Sequence, residues 1–135
     1  KIYGGIIQGY AMHENYNDFD AAFVATHGGN TTGAHNHYDT ASFIYDVAGV
    51  RWAHDLGWEP YTNKAPDTDK YRRRAEGHNL IVINPSKEPG QDAGFSPIER
   101  TGQDEKSSFV IIDASEAYKT KATIYINQTK KTTQD

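Results

Sequence analysis

Phe43-Ile44-Tyr45-Asp46-Val47-Ala48-Gly49-Val50-Arg51-Trp52-Ala53-His54-Asp55-Leu56 is the stretch that decides the fold of this chain. Two runs rich in β-branched and aromatic residues flank the dipeptide Ala48-Gly49, which reads as a hairpin with strands over 43–47 and 50–56. Working outward, 1–10 reads as a ragged entry strand and 20–26 as a short strand ending at His27-Gly28-Gly29. Residues 77–83, 107–114 and 121–127 read as further strands, with a short one near 95–98 and a turn or helical loop over 115–120. The segments 30–38, 57–70 and most of 87–105 read as loops. No segment sustains the 3.6-residue apolar period of an amphipathic helix. Many short strands separated by turns, without helical intermissions, predict an all-β antiparallel sandwich occupying residues 1–135 as one domain.

The bulk composition limits what such a domain can do. The chain has 135 residues, a formal charge of -4 and no cysteine. Disulfides and thiolate zinc sites are therefore excluded, and any metal must be held by His and carboxylate. An acidic balance argues against a general nucleic-acid binder. No long apolar run or export-type leader is present, so neither a membrane span nor a signal is expected within this sequence. The chain starts at Lys1 without a Met and ends in a polar tail at 132–135, which reads as a piece of a longer protein.

The chemistry-bearing residues gather in front of the hairpin, in Ala34-His35-Asn36-His37-Tyr38-Asp39. In an extended segment alternate residues share a side, so His35, His37 and Asp39 are expected to face one site. The two histidines can bind one ion together, or one can ligate while the other serves a substrate. Asp55 fits as a further ligand because the hairpin lays its strand beside 41–47. His78, at the start of the next expected strand, is the remaining candidate. Ordinary polar strand-end residues are the bland alternative for each of these alone. Asp39 can instead orient a histidine by accepting its other ring proton. His27 lies near enough to be a secondary candidate, whereas His54 should point away from the face of Asp55. Of the run Arg72-Arg73-Arg74, Arg72 and Arg74 should point the same way and suit a carboxylate or sulfate group. A solvated edge that discourages strand-to-strand association explains them equally well.

Taken together, AHNHYD, the hairpin with Asp55-Leu56-Gly57, Tyr71-Arg72-Arg73-Arg74-Ala75-Glu76-Gly77-His78-Asn79 and Gly90-Gln91-Asp92 resemble the heparinase II/III group of polysaccharide lyases. The likeness spans roughly residues 10 to 120. It implies the C-terminal, supersandwich-type part of an enzyme whose N-terminal part is a helical toroid that supplies a catalytic Tyr. It further implies that His35 meets the substrate, and that His37, Asp55 and His78 hold a divalent metal, zinc as a rule, in a mainly structural role. The implied substrate is an acidic, uronate-containing polysaccharide, heparan sulfate-like or related, and the implied location is the bacterial periplasm or exterior. Without the helical part, this chain is expected to be catalytically silent. Cupins also use H-x-H, but they want a Glu shortly after it, and none follows here. Metallo-β-lactamase-like hydrolases place a His directly after the Asp, where this chain has Thr40. A metal-stabilised, non-catalytic carbohydrate-binding sandwich is the third alternative.

Overall fold

The computed structural model describes residues 7–32, 35–59, 70–83 and 89–120. Over these the protein is built from antiparallel strands with almost no helix, an all-β, sandwich-like arrangement. The main sheet runs in the order β1 (Ile7–His13), β2 (Phe23–Asn30), β3 (Phe43–Val47) and β4 (Val50–Ala53), with the short β5 (Phe95–Ser96) pairing the far end of β2. A second sheet pairs β6 (Ile98–Gln103) with β7 (Ser108–Ile112). No helix among the described residues is long and apolar enough to cross a membrane.

The central hairpin forms where its sequence predicts, with Val47 opposite Val50, but β4 ends at Ala53, short of the expected 50–56, so Asp55 lies beyond the strand. Ala48 and Gly49 both have positive φ, 54° and 69°. Such a two-residue turn has the right-handed twist that the flanking strands need. Its amide is tied across to the neighbouring β1–β2 connection, where Ala48 N–H donates to the Asp20 carbonyl. Within that connection, Asn17 N–H bonds to Asn15 Oδ1 and Asp20 N–H to Asp18 Oδ1, side-chain turns typical of Asn and Asp.

β2 runs through His27-Gly28-Gly29 to Asn30 and does not stop at the glycines. The missing side chain at Gly28 is used for close approach. A Cβ there would lie 2.5 Å from the Ser96 carbonyl oxygen and 3.2 Å from Ile112 Cγ2. β5 therefore pairs closely at this point, and the β6–β7 sheet packs over it. A further tie links the layers, as Ile98 N–H donates to Gln8 Oε1 at 2.6 Å. β6 falls where mostly loop is expected from the sequence.

The largest departure from expectation lies at 77–83, which is not a strand. Tyr71–Arg73 and Ala75–Gly77 form successive 3-10 turns, and His78 to Leu80 continue as bends. Gly77 N–H bonds to the Arg74 carbonyl and His78 N–H to that of Ala75. The alternation of His78, Leu80 and Val82 suits a strand, but tertiary closure overrides it. Ala75 is fully buried and its N–H donates to the Pro89 carbonyl. A Cβ on Gly77 would come 2.3 Å from the Tyr71 carbonyl oxygen, so only glycine closes this turn. The expected strand at 121–127 lies outside the described residues, as do parts of the expected entry strand and of the 57–70 loop. The expected helical loop is present as one short helix at 115–120.

The buried interior near 40, 78 and 91 is largely polar. Thr40, Ser42, His78, Gln91 and Ser96 are all buried, beside the small apolar Ala75 and Ala117. Such an interior is stable only where its polar groups are paired. Gln91 does most of that pairing around 40: its Oε1 accepts from Thr40 N–H and its Nε2 donates to the Thr40 carbonyl, both at 3.0 Å.

Candidate metal centre

The His/Asp cluster forms where the β2 end, the 35–42 loop, the β4 exit and the 3-10 segment converge. Asn79 is the clamp. Its Nδ2 donates to the carbonyls of Phe43 and His54, both at 3.0 Å, and its own carbonyl accepts from Phe43 N–H. The residue after His78 thereby straps the 3-10 segment to the start of β3 and the end of β4. Arg73 provides a second strap. Its Nη2 donates to the Asn36 carbonyl at 2.9 Å, and its carbonyl accepts from Tyr38 N–H.

These straps bring His37, Asp39 and His78 together, with ligand-capable atoms all within 4.8 Å of one another. The imidazole rings of His37 and His78 stand 5.3 Å apart between centroids. His78 is the most buried of the group, its side chain 1% exposed. Its Nδ1 lies 2.6 Å from Asp55 Oδ2, while its buried Nε2 has no hydrogen-bond partner among the described residues. With Nδ1 protonated and donating to Asp55, Nε2 carries a lone pair with nothing to satisfy it. A carboxylate behind one ring nitrogen and a bare lone pair on the other is what a metal-ligating His requires.

Electrostatics around the cluster point the same way. Burial holds His37 below its ordinary pKa, and the nearby His78 and Arg73 add to this against the pull of Asp39. A neutral imidazole is the form that binds metal. Burial pushes Asp39 upward, but its hydrogen bond to His27 and the neighbouring imidazoles outweigh that and leave its pKa lowered. Burial likewise pushes Asp55 up, and the bonds from His78 and Gly57 N–H bring it below the ordinary value. His27, 3.3 Å from Asp39, is raised by that hydrogen bond against the effect of its own burial. Neutral imidazole and ionised carboxylate make an all-N/O donor set suited to a zinc-like cation.

Each residue singled out from the sequence can now be placed. His37 and His78 meet in the group of three. Asp55 does not share that mutual 4.8 Å spacing and sits behind His78, while Asp39, expected to orient a histidine, is the carboxylate found with both rings. His35 is exposed and borders a cleft of ≈ 270 Å³ together with His27, Asn30, His37 and Asp39. Its φ of 71° breaks the extended alternation, so it reaches that cleft from a left-handed turn. His54 is exposed, in keeping with its parity. Arg72 and Arg74 are not on an alternating strand. Arg72 lies in a 3-10 turn and donates to the Leu56 and Trp58 carbonyls, while Arg74 forms a bidentate pair with Glu76. Their guanidinium groups thus go to different protein partners. The sequence reading passed over Asn79, Arg73 and Gln91 as structural devices, although all three stand inside its quoted motifs.

An all-β, sandwich-like layer thus carries a His/Asp donor set beside an exposed His at a cleft. The family model for the heparinase II/III-like C-terminal domain matches residues 8–128, and the chain belongs to that family. No curated protein matches the chain.

Proposed function

We propose that this chain is the β-sandwich part of a polysaccharide lyase that cleaves uronate-containing polysaccharides, heparan sulfate-like or related, by β-elimination. The observation that carries the proposal is His35, exposed on a left-handed turn at the mouth of the cleft, two residues from the metal-type cluster. Non-glycine residues in that conformation are uncommon and concentrate at functional sites.

In β-elimination a base removes the C5 proton of the uronate, the C4–O bond breaks, and a C4=C5 double bond forms. The departing oxygen takes up a proton. Charge that builds on the carboxylate must be met by positioned donors. His35 is the proposed catalytic residue on this wall, acting as a donor to the carboxylate or in proton transfer. The opposing wall and the catalytic Tyr are assigned to an N-terminal helical part of the same protein. A divalent cation, zinc by preference, is assigned to His37 and His78 with a carboxylate. The donor spacing favours Asp39 as that carboxylate and Asp55 as the group that orients His78, while the family likeness favours Asp55 as ligand. When bound, the ion would tie the 35–42 loop to the 3-10 segment, a mainly structural service. Arg72 and Arg74 remain proposed substrate contacts only through whatever hydrogen-bonding capacity their protein partners leave. A periplasmic or secreted location belongs to the same proposal.

The test uses the full-length protein with uronate polymers, following ultraviolet absorbance of the unsaturated product. His35→Ala should keep fold and metal content but lose at least about a hundredfold in turnover, within the usual range for general acid–base groups. Near-normal turnover in that variant, or its unfolding, rejects the assignment. The isolated chain should give no product.

A further inference from the structure

At the end of the sheet away from the cluster, the β1–β2 and β3–β4 connections come together and present aromatic rings to solvent. Tyr16 is 86% and Phe19 88% exposed. Neither ring is a loose surface group. Tyr16 stacks on His13 with centroids 4.6 Å apart and planes 7° from parallel, and His13 packs in turn on Phe23. Phe19 lies against the turn glycine, where a Cβ on Gly49 would stand 3.1 Å from its ring. The rings line a hollow of ≈ 510 Å³ with Asn17, Asp18 and Asp46 at its rim.

We propose that this hollow is a binding subsite for an uncharged pyranose, stacked on Tyr16 and Phe19 with its hydroxyl groups on the rim. A ring held flat by stacking loses little conformational freedom when it covers an apolar face, which favours binding. The hollow is of small-ligand size, whereas a stable protein partner needs about 800 Å² on each side. Charge selects among sugars. No Lys or Arg lines the hollow, Lys106 lies in a neighbouring one beside Glu14, and the Arg51 guanidinium is held bidentate by Asp46 at 2.7 Å. Glu14, Asp18 and Asp20 add negative charge to the connection. A uronate or sulfate group would meet repulsion there, while carboxylate and amide oxygens accept well from neutral hydroxyls. Along β2, Phe23 is about 13 Å from His27 at about 3.3 Å per residue. The subsite is therefore separate from the cleft beside His35.

The test is calorimetric titration of the full-length protein with cellotetraose, mannotetraose, chitotetraose and a heparan sulfate tetrasaccharide. At least one neutral tetrasaccharide should bind. Tyr16→Ala and Phe19→Ala should each weaken it about five- to tenfold, the scale of one aromatic stacking contact, and Tyr16→Phe should restore it. His35→Ala should leave this binding unchanged, so its outcome is separable from that of the lyase assay. Absence of neutral-sugar binding overturns the proposal. So does binding indifferent to Tyr16→Ala, or a change of sedimentation in that variant, which would make the patch a contact between copies. Thermal unfolding of each variant confirms that the fold is kept.

Discussion

Replacing Gln91 by Ala should unfold this protein more readily than any exposed substitution, and the structure sets the size of the effect. Gln91 is 2% exposed and Thr40 1% exposed, so water has little access to either. The Gln91 amide accepts from Thr40 N–H and donates to the Thr40 carbonyl and to the Tyr118 hydroxyl. Truncation strands both backbone groups of Thr40. A buried polar group left without a partner costs about 1–3 kcal/mol. A water molecule entering the vacated space recovers part of this, so about 3 kcal/mol is expected in all. For a chain of this size that corresponds to a fall of roughly 10 °C in Tm. Denaturant unfolding followed by circular dichroism measures it, with an unchanged m value as the check on two-state behaviour. Tyr118→Phe removes a hydroxyl that accepts from Gln91 and donates to the Ile81 carbonyl. Gln91 Nε2 keeps its bond to Thr40 and Ile81 is exposed to water, so the cost should be only about 1 kcal/mol. Gln91→Glu should be destabilising at neutral pH and recover as pH falls, because the protonated acid again donates to the Thr40 carbonyl. Since Asp39 precedes Thr40, metal affinity should fall along with stability. A loss below about 1 kcal/mol for Gln91→Ala would refute the pairing argument.

The remaining predictions concern the turn, the metal and the pH range. Ala48→Gly relieves a side chain at φ 54° and should raise stability by about 0.5–1 kcal/mol, read as a higher denaturation midpoint. Chelation should lower stability by about 3 kcal/mol if the ion is held at a hundredfold its Kd. His37→Ala should remove the ion by elemental analysis and lower Tm, whereas exposed His54→Ala should do neither. Comparing Asp39→Asn with Asp55→Asn decides the ligand, since the ligand's loss should cost the greater affinity. In the metal-free protein the His27–Asp39 pair should shape the pH profile. The raised pKa of His27 contributes stability fully present below its ordinary 6.5 and lost as pH rises through the folded value. The lowered pKa of Asp39 contributes stability present above its ordinary 3.8 and lost as pH falls through the folded value. Unfolding measured from pH 3 to 9 should thus show two limbs that flatten in Asp39→Asn.

The sequence by itself determined whatever depends on neighbours along the chain. Ala48-Gly49 between two β-rich runs specifies a hairpin because two residues and their twist are the whole problem. The donor-rich 35–39 stretch, the absence of cysteine and the acidic balance likewise needed no third dimension. Tertiary structure decided the rest. Residues 77–83 alternate like a strand, yet burial of Ala75 and closure of Gly77 on Tyr71 hold the preceding residues in 3-10 turns. Gly28 looks like the end of a strand until Ser96 is seen to approach it. Parity placed His35, His37 and Asp39 on one side, but a positive φ gives His35 a different route to the cleft. The grouping of Asp39 with His37 and His78, with Asp55 behind, came from the straps of Asn79 and Arg73. Those contacts join residues tens of positions apart, and a local pattern carries no information on which distant carbonyl a side chain will find.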